Sequence, residues 1–122
     1  MNAAINQPTL ITGHIDVILL KIISMEDGYG YSISKKISQI TNDTCEMKEA
    51  TLYSGLRRLE AEKLIASYWG DESQGGRRKY YTLTQAGREG LANEISKWKQ
   101  TKTFMDKILD WEDYNYENTR RN

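Results

Sequence analysis

The 122-residue sequence has one cysteine, one proline, one histidine and one phenylalanine, and no excess of charge, since 17 Lys/Arg balance 17 Asp/Glu. A lone Cys45 excludes a disulfide framework within the chain and fits a reducing compartment. It is expected to act as a small half-buried hydrophobe, because Glu46 beside it opposes the lowered thiol pKa that a redox sensor needs. His14 has no acidic or cysteine partner at ligand spacing, so it is expected at a surface or interface and no metal site is expected. No run of about 18 apolar residues exists, which excludes a membrane-spanning helix. The N-terminus lacks a basic start, an apolar core and a small-residue cleavage site, giving the expectation of a cytoplasmic protein. Zero net charge excludes a global basic field, so any nucleic-acid binding has to rest on a local patch.

The charge that is present is unevenly spread. Residues 28–88 hold ten Lys/Arg against seven Asp/Glu, a net of +3, and the remainder carries −3. The 39% hydrophobic content is low for a self-sufficient globule, which fits apolar surface shared between subunits. From Thr9 the apolar spacing is helical, with Ile11, Ile15, Ile18 and Ile22 on one stripe. Val17, Leu19, Leu20 and Ile23 widen that stripe beyond one face, and a helix apolar nearly all round needs cover on two sides. The glycine-bearing turn Glu26–Gly30 precedes a second helix with Ile33, Ile37 and Ile40 on one face, closed by the turn formers Thr41–Thr44. A third helix is expected over Lys48–Lys63, with Ala50, Tyr53, Leu56 and Leu59 buried and Leu52 beside them. Leu64–Trp69 and Arg77–Leu83 then form strands of a hairpin whose turn, Gly70–Gly76, is glycine-rich and followed by Arg77-Arg78-Lys79. Thr84 caps a last helix in which Gly87 and Gly90 weaken the first turns. Along it Leu91, Ile95, Trp98, Met105 and Leu109 follow a 4-3-7-4 spacing, the a and d positions of a heptad, with Lys102 filling one of them.

These elements predict a mainly α fold with a small β-hairpin: a winged helix-turn-helix plus one C-terminal dimerisation helix. The expected boundaries are a flexible leader at 1–8, the winged helix-turn-helix at 9–84, the dimerisation helix at 85–112 and a polar tail at 113–122. Such a fold reads DNA by placing one amphipathic helix in the major groove, with a cationic hairpin tip on flanking phosphates and a dimer setting two units about one helical turn apart. On the third helix Glu49, Thr51, Ser54, Arg57 and Arg58 are candidates for the groove, although a solvated charged face would look the same. The hairpin adds what folding does not require: Gly75 and Gly76 permit close backbone approach to a phosphate, and Arg77, Arg78 and Lys79 supply charge. Lys48 is a candidate phosphate contact, as are the hydroxyls of Tyr29, Tyr31 and Tyr53 unless those rings simply pack. No nucleophile–base–orienter set is present, Asp71 and Glu72 on an exposed turn make poor acid–base partners, and the glycine turn lacks a P-loop ending. No enzyme activity and no cofactor are expected.

The run Glu49-Ala-Thr-Leu-Tyr-Ser-Gly-Leu-Arg-Arg-Leu-Glu60 followed by Leu64-Ile65 resembles the recognition helix of PadR-family transcriptional regulators. Ser67-Tyr-Trp-Gly-Asp-Glu-Ser-Gln-Gly-Gly-Arg-Arg-Lys-Tyr-Tyr81, with Leu83-Thr84 and Gly87, is similar to the family's wing, and Ile18–Gly30 to its first helix and Tyr-Gly-Tyr turn. The resemblance covers roughly residues 10 to 112, and the single helix after the wing resembles the compact C-terminal subfamily. It implies a homodimer exchanged through the first and last helices, with Ile11, Ile15, Ile18, Leu19, Ile95, Trp98, Met105 and Leu109 at the interface. It implies repression by occupancy of double-stranded operator DNA, released by a small aromatic or multidrug ligand. Multidrug-responsive members of the compact subfamily carry a tryptophan near the dimer axis, and Trp98 falls at that place when counted from Arg77-Arg78. Trp98 then either lines a ligand pocket or fills the interface. Gly87, Gly90, Lys102 and the aromatic residues Trp111, Tyr114 and Tyr116 depart from the multidrug type, and fold alone does not transmit a ligand. An adaptor that uses a winged helix only to bind proteins is the alternative.

Overall fold

A computed structural model describes residues 13–70 and 76–112. The expected leader, Ile11, Asp71, Glu72, Gly75 and the polar tail with Tyr114 and Tyr116 lie outside these residues. The elements run α1 (Ile15–Met25), α2 (Gly30–Ile40), α3 (Glu49–Ala61), β1 (Ile65–Trp69), β2 (Lys79–Leu83) and α4 (Gln85–Leu109). Three helices, a two-stranded antiparallel hairpin and a long last helix are the fold class expected from the sequence. The chain divides into two compact units, Met1–Ala92 and Asn93–Asn122.

In the first unit Leu19, Leu20, Ile22 and Ile23 of α1, Ile33 and Ile37 of α2, Leu52, Leu56 and Leu59 of α3, Ile65, Tyr81 and Leu83 of the hairpin and Leu91 of α4 are buried. Cys45 and Met47 join them from the α2–α3 connection. Three local expectations need correction. The helical spacing read from Thr9 does not run through Gly13, which takes the left-handed region at φ +88°, and α1 begins at Ile15. Ile40 is exposed because α2 ends there and its last turn leaves the core. The buried stripe of α3 is Leu52, Gly55, Leu56 and Leu59, with Ala50 exposed and Tyr53 half-buried. Gly55 sets that phase: a Cβ there would lie 2.7 Å from Leu19 Cδ1 and 3.1 Å from Ile15 Cγ2, so α1 crosses α3 where the side chain is missing. Leu19 is consumed in that crossing. At 0% exposure it has no surface to offer a second subunit, contrary to its expected place in an interface, whereas Ile15 and Ile18 stay half-exposed.

The end of α3 explains how the helix turns into the hairpin. The Leu64 N–H donates to the Leu59 carbonyl and the Lys63 N–H to that of Glu60, both at 3.0 Å, which is the Schellman arrangement. Lys63 takes the left-handed position at φ +64° that glycine usually fills. In the hairpin Ile65 pairs with Leu83, Ser67 with Tyr81 and Tyr68 with Tyr80. Gly28, from the α1–α2 turn, adds an isolated antiparallel bridge to Tyr81, its N–H donating at 3.2 Å and its carbonyl accepting at 2.8 Å. Thr84 caps α4 through the Gly87 N–H at 3.0 Å, while its hydroxyl donates to the carbonyls of Lys63 and Leu64.

In the second unit the described part of α4 is largely exposed, including Trp98, Phe104, Met105, Ile108 and Leu109. Its ion pairs are local, Lys97–Glu94 and Lys102–Asp106. Lys102 is thus tied along its own helix by an exposed i,i+4 pair with Asp106.

Candidate nucleic-acid interface

The N-terminal ends of α2 and α3 enclose a cleft of about 640 Å³, lined by Gly30, Tyr31, Ser34, Lys48, Tyr53 and their neighbours. It forms because α2 begins on Gly30: a Cβ there would overlap the Tyr53 hydroxyl, so the glycine lets α3's tyrosine lie against α2. Tyr29 ends the preceding turn in extended conformation, its N–H donating to Ser32 Oγ at 2.9 Å, which fixes the start of α2. Four sequence candidates, Tyr31, Lys48, Glu49 and Tyr53, are thereby brought to one cleft.

On the outer face of α3, Glu49, Ser54, Arg57 and Arg58 are exposed and Thr51 is half-buried. The two arginines differ. Arg58 binds the Asp16 carboxylate of α1 through Nε at 3.2 Å and through Nη2, and this hydrogen bond holds its guanidinium pKa above the ordinary value. The sequence offered no sign of that pair, since Asp16 lies 42 residues away. Arg57 is exposed and forms no side-chain hydrogen bond or ion pair with another described residue.

At the hairpin, Gly76 takes φ +98° with open space around it, a conformation that needs glycine. The Arg77 guanidinium lies 5.2 Å from the Trp69 ring centroid and that of Arg78 lies 4.8 Å from the Tyr29 ring. Tyr29 meets Tyr80 edge-on at 5.4 Å, and Tyr80 stacks on Tyr68 at 5.6 Å. The Tyr68 hydroxyl donates to Asp27 at 2.6 Å, and the carboxylate raises the phenol pKa, so Tyr68 remains a neutral donor at physiological pH. Lys79 points elsewhere. Its ammonium lies 3.5 Å from Glu60, which also accepts from Ser67, and 5.6 Å from the Tyr81 ring centroid. Burial pushes the Tyr81 phenol up, partly opposed by Lys79. Trp69, Tyr68, Tyr80, Asp27, Glu60 and Asp16 were not singled out as site residues from the sequence. Only Tyr68–Tyr80 carried a signal, as a cross-strand pair of a hairpin.

Among the described residues no group of three or more His, Cys, Asp or Glu could hold a metal, and no helix is long and apolar enough to cross a membrane.

Residues 19–93 match the family described as transcriptional regulator PadR-like. An uncharacterized protein of Lysinibacillus sphaericus is 43% identical over 101 residues, covering 83% of this chain and 93% of its own. A transcriptional regulator from Clostridium thermocellum has a similar structure, with a TM-score of 0.77 and 38% identity, over 83% of this chain and 98% of its own. A PadR-like transcriptional regulator from Bacillus cereus superposes with a TM-score of 0.73 at 32% identity, over 85% of this chain and 99% of its own.

Proposed function

The chain belongs to the PadR-like family of transcriptional regulators, and from that premise we propose that it is a homodimeric cytoplasmic repressor of a palindromic operator, released by a small aromatic or drug-like ligand. The family's members are non-enzymatic DNA-binding proteins, so this chain is a DNA-binding transcriptional regulator and not an enzyme. The observation that carries the operator reading is the pair of exposed guanidiniums at the turn end of the hairpin, in the same compact unit as the exposed polar face of α3. Arg57, Thr51 and Ser54 then face bases and phosphates, while Lys48, Tyr31, Tyr53, Gly75, Gly76, Arg77 and Arg78 hold the backbone. Arg58 and Lys79, each tied to a carboxylate, add less unless DNA displaces that partner.

Dimerisation is supported by the exposed heptad residues Trp98, Met105 and Leu109, the last 70% exposed. Light scattering is expected to report a dimer at micromolar concentration, and gel shifts with the DNA upstream of its own gene are expected to show salt-sensitive, sequence-selective binding. A stable folded monomer would refute the dimer. Dimers without selective DNA binding would favour the protein-interaction adaptor instead.

The ligand reading rests on Trp98, an indole 47% exposed at a d position of the seam. Two such indoles across a dimer axis offer faces to a flat aromatic molecule, and a ligand wedged there would change the spacing of the two recognition helices. Native tryptophan fluorescence is expected to be quenched by such compounds. Trp98→Ala is expected to stay dimeric and DNA-bound but to lose that response. Indifference of the native emission to a broad panel would leave Trp98 as interface filling only.

A further inference from the structure

We propose that Tyr29 is a positioning residue of the DNA-binding surface: its ring holds the Arg78 guanidinium in place for a backbone phosphate, and Tyr29 does not itself contact DNA. The inference rests on the DNA-binding reading above and assigns one residue within it a different task from the hydroxyl contact that the sequence suggested.

Arg78 is an exposed side chain at the turn end of the hairpin, just before β2. Its guanidinium carbon sits 4.8 Å from the Tyr29 ring centroid. A cation over a ring is held through the ring face, so guanidinium N–H donors directed away from the ring stay available for a phosphate. The ring beneath is itself held on several sides. Tyr80 meets it edge-on at 5.4 Å, and Tyr80 is backed by Tyr68, whose hydroxyl returns to Asp27, two residues before Tyr29. The Gly28 bridge to Tyr81 fixes the backbone immediately before the ring, and Ser32 accepts from the Tyr29 N–H. Turn, ring and both strands form a closed circuit, and Arg78 rests on its outer face. Arg77 on Trp69 has the same contact without the circuit.

Ordering one long side chain on binding costs about 3- to 10-fold in affinity. A preset Arg78 avoids that loss, and the number of phosphates it neutralises does not depend on the ring. Affinity and salt dependence therefore separate the two residues. The test uses full-length protein and a short duplex from upstream of its own gene, with affinity measured across a salt series. Tyr29→Leu is expected to weaken binding about 3- to 10-fold with the salt slope unchanged. Tyr29→Phe, which keeps the ring, is expected to restore the affinity. Arg78→Ala is expected to lower the slope by about one unit, and adding Tyr29→Leu to it should cost nothing further. In DNA-free protein the Arg78 Nε–H resonance should lose its ring-current shift in Tyr29→Leu and keep it in Tyr29→Phe, a readout of the stack independent of any DNA.

A phenylalanine variant as weak as the leucine variant would overturn the proposal in favour of a hydroxyl contact. So would a slope that falls in Tyr29→Leu, or an Arg78 resonance unmoved by it. Native protein that binds with a normal salt slope while Tyr29→Leu binds equally well overturns this inference alone. Native protein with no salt-dependent binding overturns the DNA reading, and this inference with it.

Discussion

Replacing Arg77 and Arg78 together by alanine is expected to weaken binding to every duplex, specific or not, by about two orders of magnitude or more. Hydrogen bonds from a charged donor to a phosphate are worth about 1.5–3 kcal/mol each, so losing two removes at least about 3 kcal/mol. The salt slope is expected to flatten by about two units, one for each phosphate no longer neutralised. Selectivity between sequences should change little, because backbone contacts carry no base information. Stability should fall by no more than about 1–2 kcal/mol: both side chains are exposed, and each ring contact is worth about 0.5–1 kcal/mol at such a site. A melt and a salt series on the same preparation check both halves. A double variant that folds and keeps its full slope would remove the hairpin from the interface and leave α3 to act alone.

Gly87→Ala should show the largest loss of stability from adding a single methyl. By helix propensity the change would stabilise, since glycine inside a helix costs about 0.5–1 kcal/mol relative to alanine. The surroundings reverse the sign. A Cβ at 87 would overlap the Leu64 carbonyl oxygen and come within 2.8 Å of Leu83 Cδ1. That carbonyl cannot retreat cheaply, because it accepts from the Thr84 N–H at 3.1 Å and from the Thr84 hydroxyl at 3.0 Å. Overpacking costs about 1–3 kcal/mol, and loosening the Thr84 cap adds about 1 kcal/mol, so a net loss of about 2–3 kcal/mol is expected. Gly90 provides the comparison. Its nearest neighbour would be Leu64 Cδ2 at 3.6 Å, ordinary contact, so Gly90→Ala should gain about 0.5–1 kcal/mol. Denaturant melts of the two variants should move in opposite directions. Equal stabilities would show that α4 does not approach the Leu64 backbone this closely.

Gly87 also marks where sequence reasoning stopped. It was legible as a glycine that weakens a helix, because propensity is a local property. That it permits a backbone contact depends on Leu64, which only the folded chain brings near. The hairpin was legible because alternation and turn residues are local as well, and the observed strands differ from the expected ones only at their first residues. The stripe of α3 was misplaced because Tyr53 looks like core and Gly55 looks like nothing, whereas packing against α1 gives the buried position to the glycine. In the candidate site the cations could be picked out by type. Their sorting into Arg58 and Lys79 bound to carboxylates, Arg77 and Arg78 on aromatic rings, and Arg57 exposed without an ion pair among the described residues could not. Each partner apart from Trp69 comes from outside the hairpin or its own helix, up to 49 residues away in the case of Tyr29 and Arg78.

The Gly28 bridge has a bearing on self-association. By pairing with Tyr81 it places β2 between two neighbours, β1 on one side and a piece of the α1–α2 turn on the other. A strand edge with unpaired N–H and C=O groups is a template for adding another chain, and two-stranded ribbons normally present two. Among the described residues, β1 at Ile65–Trp69 is then the only strand whose outer edge is left without a backbone partner. Five residues make a short template, and sheet-to-sheet aggregation is limited accordingly. Opening the turn at Gly28 would forfeit more than two hydrogen bonds: it would bare the middle of the second edge, at Tyr81, to whatever strand came next.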